Sequence, residues 1–103
     1  MTVKIKICGL RRVCDIEAVN KYLPEYAGFV FAESKRKVTK EEARELIQLL
    51  DERIKPVGVF VNSTVEEINE TAEYCRLYAA QLHGSEKPEM CAEVHIPVWR
   101  ALS

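Results

Sequence analysis

Three residues capable of acid–base or binding chemistry stand at the carboxyl ends of short apolar runs: Cys8, Asn62 and His83. Each run has the length and composition of a buried strand, and apolar residues with helical spacing follow it. Barrels and open sheets of parallel strands place their active sites at the carboxyl ends of the strands. We therefore expect these three residues on the face of the fold that carries its chemistry.

Cys8 has a charged neighbour in the sequence that bears on its reactivity. Because side chains alternate along a strand, Lys6 lies on the same face of the first predicted strand, just beneath Cys8. A nearby ammonium group favours the thiolate, the form of cysteine that acts as a base or nucleophile. The alternative is a small, buried, unreactive cysteine at a strand end, and the single residue does not decide between the two.

The elements that must position these residues are strands alternating with helices. Thr39 and Glu42 have the spacing of a capping box at the start of the second helix, and Thr64 with Glu67 repeats this spacing at the third. We place strands near 3–8, 26–32, 56–62, 78–83 and 97–102, and the shorter first and fourth helices near 14–22 and 87–94.

Strand, helix and strand joined by short connections predict an α/β fold of parallel βα repeats. The 103 residues (1–103) are expected to form a single domain. Two closures fit the pattern: an open flavodoxin-like sheet of about five strands, or part of a (β/α)₈ barrel, which has eight strands. Periodicity does not choose between them.

Composition excludes several classes of partner. The net charge is −1, with basic residues spread among acidic ones, so we expect no nucleic acid partner. No apolar run approaches the roughly 18 residues of a membrane span, and no apolar targeting segment follows Met1, so we expect no membrane association and a cytoplasmic location.

The other cysteines are assigned to structure. Cys14, Cys75 and Cys91 fall on predicted helices, where we expect them to pack inward as reduced thiols. Cys91 and His95 have a three-residue gap, but no second pair of ligands completes a zinc set. We predict no metal site, and we expect His95 in a loop.

Four short segments follow one another along the chain: Lys-Ile-Cys-Gly-Leu at 6–10, Gly-Phe-Val-Phe at 28–31 with Ser-Lys-Arg at 34–36, Val-Gly-Val-Phe-Val-Asn at 57–62, and Gln-Leu-His-Gly at 81–84. In this order and at these spacings they resemble the phosphoribosylanthranilate isomerase family of tryptophan biosynthesis. The resemblance implies the TIM-barrel fold, (β/α)₈, of which this chain holds about five βα units, a partial barrel.

The resemblance also implies a reaction. The family converts N-(5′-phosphoribosyl)anthranilate to 1-(2-carboxyphenylamino)-1-deoxyribulose 5-phosphate by an Amadori rearrangement without a cofactor. An acid opens the ribose ring to a Schiff base, and a base removes the C2′ proton. The family's base maps onto Cys8 and its carboxylate-binding arginine onto Arg36, while Gln81 and His83 are assigned to substrate binding. Alternatively, Arg36 is a solvated loop charge and His83 a hydrogen-bonded strand-end histidine.

The chain departs from the family in two places. In the family, the general acid is an aspartate that follows the fifth strand, as do the phosphate-binding loops, and residues 1–103 encode neither. The run before Ser34 is also one residue shorter than usual, which bears on the reach of Arg36. We therefore expect almost no turnover from the isolated chain, and either self-association or a complementing C-terminal half-barrel as partner. The competing hypothesis is a non-catalytic α/β binding or scaffold module, either flavodoxin-like or a half-barrel dimer.

Overall fold

A computed structural model describes residues 6–82 and 88–100, in which strands and helices alternate. The elements are β1 (Lys6–Cys8), α1 (Val13–Tyr22), β2 (Tyr26–Val30), α2 (Lys40–Leu49), β3 (Lys55–Phe60), α3 (Val65–Cys75), β4 (Ala79–Leu82), α4 (Pro88–Cys91) and β5 (Val98–Arg100). All five predicted strands are present. β2 and β3 each end two residues before the predicted limit, and α4 is shorter than the predicted 87–94.

The strands form one parallel sheet in the order β1-β2-β3-β4-β5. Each strand therefore pairs with its neighbours in the sequence, whereas a flavodoxin-like sheet has the order 2-1-3-4-5. The sequential order is that of a barrel, which confirms the predicted α/β barrel class and excludes the flavodoxin-like alternative. Along one row of the register, Cys8 pairs with Gly28, Gly28 with Val57, and Val57 with Ala79.

The sheet buries two apolar layers. On the helix side, Phe29 and Phe60 are almost fully buried in the main core cluster, which also includes residues of α1, α2 and α3. On the other face, Tyr26 packs edge-to-face against Trp99 with ring centroids 4.8 Å apart, in a smaller cluster with Val57 and Ala79. Burying one large apolar side chain contributes about 1.5–3 kcal/mol, so the helix-side layer dominates the stability of the sheet.

Helices α2 and α3 begin at the predicted caps, but only α2 forms the full capping box. The Thr39 hydroxyl accepts a hydrogen bond from the Glu42 N–H, and the Glu42 carboxylate accepts one from the Thr39 N–H. In α3 the Thr64 hydroxyl accepts from the Glu67 N–H. The Glu67 carboxylate, however, accepts from the Thr64 hydroxyl and not from the Thr64 N–H. The predicted second capping box is therefore wrong in its glutamate-to-backbone hydrogen bond.

The cysteine predictions are confirmed only in part. Cys75 is buried and Cys91 is half-buried, but Cys14 is exposed, so its predicted inward packing is wrong. Helix α1 buries Ile16 and Val19. Cys14 lies two residues before Ile16, about 200° away around the helix, and therefore points outward. His95 lies, exposed, in the connection before β5, as predicted.

Within residues 6–82 and 88–100, no helix is both long enough and apolar enough to cross a membrane.

Candidate functional site

Cys8 ends β1 at the carboxyl edge of the sheet, and its thiol is exposed. Its register partner is Gly28 in β2. A Cβ atom at position 28 would lie 2.8 Å from the Cys8 sulfur and 3.2 Å from its Cα, closer than such atoms normally approach. The absence of a side chain at Gly28 therefore provides the space that the thiol occupies.

The turn after Cys8 is fixed by the same strand. The N–H groups of Gly9 and Leu10 both donate to the Gly28 carbonyl oxygen, at 3.0 and 3.3 Å. Gly9 has a φ of +85°, a left-handed conformation that glycine adopts without strain. The chain therefore leaves β1 in a tight turn and leads directly into Leu10, which is buried.

Arg36 extends from the β2–α2 loop across this turn. A Cβ atom at Gly9 would lie 2.5 Å from the Arg36 Cδ and 2.8 Å from its Nη1, so a side chain at position 9 would displace the arginine. Arg36 Nη1 donates to the Cys8 carbonyl oxygen at 3.5 Å, which is the outer limit for a hydrogen bond. The guanidinium group therefore lies beside Cys8, so the shorter loop does not prevent its reach.

The loop that carries Arg36 is organised around Ser34. The Ser34 hydroxyl accepts from the Arg36 N–H at 3.0 Å, and the Ser34 carbonyl accepts from the Lys37 N–H at 3.3 Å. The Val38 N–H then donates to the Val30 carbonyl at 2.9 Å, which closes the loop onto β2. A serine that hydrogen-bonds its own backbone two residues on is a common turn former.

A second arginine connects the two loops. Arg11 Nη1 donates to the Lys35 carbonyl oxygen at 2.6 Å. The Arg11 and Arg12 N–H groups both donate to Asp15 Oδ2 at 3.1 Å, which holds the start of α1. These hydrogen bonds, chiefly that from Arg11, lower the pKa of the Asp15 carboxyl group below its usual value.

The two loops make a basic rim around Cys8. Five cationic residues and one acidic residue lie in these two loops, at 9–12 and 31–39: Arg11, Arg12, Lys35, Arg36 and Lys37, with Glu33. A guanidinium group next to an exposed thiol can hold a carboxylate while the sulfur removes a proton from the same molecule. The rim is therefore suited to an anionic ligand.

The other predicted site residues are placed less completely. Gln81 is half-buried in β4, in register with Val59 and Trp99, so it lies on the same sheet face as Tyr26 and three strands from Cys8. His83 lies outside the described residues, as does the Lys6 side chain. The structure thus brings Cys8 and Arg36 together and places Gln81 on the face of the sheet that carries Tyr26 and Trp99, opposite the helices, which we call the inner face.

Asn62, the third polar residue at a strand end, lies exposed two residues after β3. Its φ is 53°, in the left-handed region that asparagine tolerates better than most residues. Within residues 6–82 and 88–100, no three or more His, Cys, Asp or Glu side chains form a group that could hold a metal ion.

Two residues of the site were missed at the sequence level. Gly28 carries a signal, because a glycine inside a strand often marks a close approach of backbone or side chain. Arg11 carries none, since its contact with Lys35 joins residues 24 positions apart. Only the pairing of β1 with β2 brings the two loops together.

Comparison with known proteins gives one consistent result. Residues 5–103 match the model of the N-(5′-phosphoribosyl)anthranilate isomerase family. The chain is 48% identical to the isomerase of Acetivibrio thermocellus and 49% identical to that of Clostridium acetobutylicum, with 95% and 98% of this chain aligned. It spans about half the length of these curated relatives, 50% in each case.

Solved structures agree. A phosphoribosylanthranilate isomerase of Thermotoga maritima, described as mutually generated monomers of a dimeric enzyme, matches with a TM-score of 0.91 and 39% identity over 98% of this chain and 53% of the other. A phosphoribosylanthranilate isomerase solved in complex with reduced 1-(o-carboxyphenylamino)-1-deoxyribulose 5-phosphate matches with a TM-score of 0.89 and 38% identity. This chain covers 54% of that structure.

Proposed function

This chain belongs to the N-(5′-phosphoribosyl)anthranilate isomerase family, and on that premise we propose that it supplies the base and the carboxylate-binding group of an Amadori rearrangement. The observation that carries the proposal is the juxtaposition of Arg36 and Cys8 at the carboxyl edge of β1 and β2. The basic rim around them supports a substrate that carries a carboxylate.

In this mechanism Cys8 is the catalytic base. Once an acid has protonated the ribose ring oxygen and the ring has opened to the Schiff base, the Cys8 thiolate takes the C2′ proton. The electron pair of that C–H bond forms the C1′–C2′ double bond of the enolamine while the π pair of the C1′=N bond moves to the anilino nitrogen, and the enolamine then tautomerises to the ketone. The exposure of the thiol and the space left by Gly28 support this role, because a ligand can reach the sulfur at the carboxyl edge of the sheet.

Arg36 binds the anthranilate carboxylate. A guanidinium group offers a planar fork of N–H donors that matches the two oxygens of a carboxylate. Within residues 6–82 and 88–100 the Arg36 side chain uses Nη1 on the Cys8 carbonyl, which supports the use of its other donors on the ligand. Gln81 and His83 complete the contacts with the substrate; for Gln81, its position on the inner face at the end of β4 supports the assignment.

The remaining functions belong to other parts of a family barrel. The family's aspartate acid and phosphate loops follow the fifth strand, and no cofactor is needed. We assign residues 1–103 to a single domain, supported by a core cluster that runs from Leu10 to Val94. A cytoplasmic location is consistent with four cysteines that are all free thiols.

The edges of the sheet bear on the choice of partner. Within the described residues β1 and β5 each pair on one side only, so the sheet has two open edges. We propose that further βα units of the same fold complete the sheet, either from a complementing C-terminal half-barrel or from a second copy of this chain.

A chimera tests the proposed function directly. Residues 5–103 replace the matched half of the Acetivibrio thermocellus isomerase, and turnover is followed by the loss of phosphoribosylanthranilate fluorescence. Cys8→Ala is expected to lower kcat by about 10²–10⁴-fold, the usual contribution of a general base. Cys14→Ala is the matched control, because Cys14 is also exposed but lies on α1, and it is expected to leave kcat unchanged.

The role of Arg36 is tested in the same chimera. Arg36→Met is expected to raise KM about tenfold or more, since it removes a charged hydrogen-bond donor from the carboxylate. A folded chimera without activity, or a Cys8→Ala variant that keeps most of its kcat, contradicts the proposed function.

A further inference from the structure

Arg11, in the β1–α1 loop, joins the two loops of the candidate site, and the mechanism proposed above gives it no individual role. Its guanidinium group donates to the carbonyl oxygen of Lys35, the residue immediately before Arg36. At 2.6 Å this is a short, charge-assisted hydrogen bond. It is the contact through which the β1–α1 loop restrains the backbone next to Arg36.

The Arg11 side chain starts from a fixed point. The Arg11 N–H donates to Asp15 Oδ2, and the Arg12 N–H donates to the same oxygen, so α1 anchors the backbone on which Arg11 stands. The preceding residues Gly9 and Leu10 are held by the Gly28 carbonyl. Arg11 therefore projects from an anchored loop toward the β2–α2 loop.

The β2–α2 loop has less support of its own. Residues 33–37 are all exposed, and the loop is held by local hydrogen bonds of Ser34 at 3.0 and 3.3 Å and by an exposed ion pair between Lys37 and Glu33, a kind of pair that contributes little to stability. The contact between Arg36 and the Cys8 carbonyl, at 3.5 Å, is too long to hold the arginine in place. The position of the Arg36 side chain over Gly9 thus depends on where the Lys35 backbone is held.

We propose that Arg11 is a positioning residue: its bond to the Lys35 carbonyl holds Arg36 over Gly9 and beside Cys8, ready to bind the carboxylate of the ligand. This proposal rests on the carboxylate-binding role of Arg36 in the proposed function. The bond itself, between Arg11 and the loop, stands independently of that role and is tested separately.

The first experiment measures the loop without any ligand. Trypsin cleaves after Lys35, Arg36 and Lys37, and mass spectrometry gives the rate at each site in the native 103-residue chain. Arg11→Met is expected to speed cleavage at these three sites about tenfold, because cleavage requires the loop to open locally. Arg12→Met, which removes the same charge from the next residue, is the matched control and is expected to change these rates less than about twofold.

Cleavage within α2, after Arg44, separates a local effect from a global one. If Arg11→Met speeds cleavage after Arg44 as much as in the loop, Arg11 only stabilises the whole domain and the proposal is wrong. It is equally wrong if the loop rates do not change. Arg11→Lys retains a cationic donor and is expected to give a rate between those of the native chain and Arg11→Met.

The second experiment tests whether Arg11 acts through Arg36. Binding of anthranilate and of its uncharged amide is measured by calorimetry for Arg11→Met, Arg36→Met and the double variant. We expect Arg11→Met to weaken anthranilate binding several-fold and the amide much less, and to have no further effect once Arg36 is replaced. Additive losses overturn the proposal, because they mean that Arg11 acts on the ligand directly.

The two experiments separate the two hypotheses. If the native chain and Arg36→Met bind anthranilate equally, the carboxylate-binding role of Arg36 fails, and with it the functional half of this inference. The proteolysis result still decides whether Arg11 restrains the loop. If anthranilate binding depends on Arg36 but not on Arg11, the proposed function stands and the positioning role fails.

Discussion

Gly28 faces Cys8 across the first pair of strands so closely that a Cβ atom at position 28 would lie 2.8 Å from the thiol sulfur. The position of the candidate base therefore depends on a residue with no side chain. A strand normally disfavours glycine, because it adds flexibility and packs nothing. Here that cost is offset because Gly28 leaves the space that the Cys8 side chain occupies at the carboxyl edge of the sheet.

Gly28→Ala is expected to displace the Cys8 side chain and to disable the site. Forcing a methyl group into occupied space costs about 1–3 kcal/mol of stability, and a misplaced base lowers kcat by about tenfold or more. Urea unfolding and the fluorescence assay of the chimera measure the two effects.

Gly58→Ala is the matched control for this change. A Cβ at Gly58 would meet the Leu77 and Phe60 side chains at 2.7 and 2.8 Å, away from Cys8. It is expected to lower stability in the same way but to leave kcat unchanged. Equal losses of kcat in the two variants would show that the effect of Gly28→Ala is not specific to Cys8.

The four cysteines are expected to react at very different rates. Burial raises the pKa of the Cys75 thiol to about 11, and Cys75 Sγ lies 3.2 Å from the Lys40 carbonyl oxygen, to which it donates. At pH 8 only about one Cys75 in a thousand is then a thiolate, the reactive form. Cys8 and Cys14 are exposed.

With a disulfide reagent at pH 8, we expect Cys8 and Cys14 to be modified first and Cys75 only on unfolding. Peptide mapping at successive times identifies each site, and the same reaction in urea is the control. Early modification of Cys75 in the native chain would mean that the α2–α3 contact around it opens readily.

The glutamates of the two helix caps, Glu42 and Glu67, are expected to contribute unequally to the free energy of unfolding. Thr39→Ala and Thr64→Ala each remove a cap and should cost about 1 kcal/mol of unfolding free energy. Glu42→Ala should cost more than Glu67→Ala, because only Glu42 satisfies a backbone N–H. Urea unfolding of the four variants measures these differences, and equal losses for the two glutamates would refute the distinction.

Stability at low pH is expected to depend on Asp51. Hydrogen bonds from the Arg53 side chain, at 3.0 and 2.9 Å, and from its backbone N–H lower the pKa of Asp51 from 3.8 to about 2 in the folded state. A lowered carboxyl pKa stabilises the fold above pH 3.8, and this contribution is lost as the pH falls toward 2.

Asp51→Asn removes the titrating group, so unfolding midpoints of the variant should fall less steeply between pH 4 and pH 2 than those of the native chain. Glu52→Gln serves as the control, because Glu52 is an exposed acidic neighbour in the same turn. Parallel curves for the native chain and Asp51→Asn would rule out this contribution.

The isolated chain is expected to self-associate and to have almost no isomerase turnover. Two open strand edges and the apolar inner face around Tyr26 and Trp99 favour association. Light scattering over a wide concentration range should show a mass that rises with concentration. A monomer at every concentration excludes self-association, and turnover that Cys8→Ala abolishes would show that the chain finds a substitute for the family's acid.

Local pattern was sufficient to predict much of this fold. The apolar runs predicted all five strands, and Thr39 with Glu42 marked the start of α2, because these signals depend on residues within one turn or one strand. Cys14 was assigned to the wrong side of α1, since a short helix leaves the direction of its buried stripe poorly defined.

The site was predictable only through the resemblance of the segments that contain Cys8 and Arg36. Their proximity, like the contact between Arg11 and Lys35, joins residues 24 or more positions apart. Such contacts follow from strand order and register. The periodicity of a single element carries no information on strand order or register. For the same reason, periodicity alone does not distinguish a barrel from an open sheet.

The sequential strand order also governs how the chain folds as it is synthesised. Every strand pairs with the one made just before it, and paired residues lie at most about thirty positions apart, a low contact order for a parallel sheet. The strand on which each new βα unit pairs has therefore already been synthesised when that unit leaves the ribosome. The contacts among Cys8, Gly28 and Arg36 all lie within residues 8–36, a part of the chain that is synthesised well before β5.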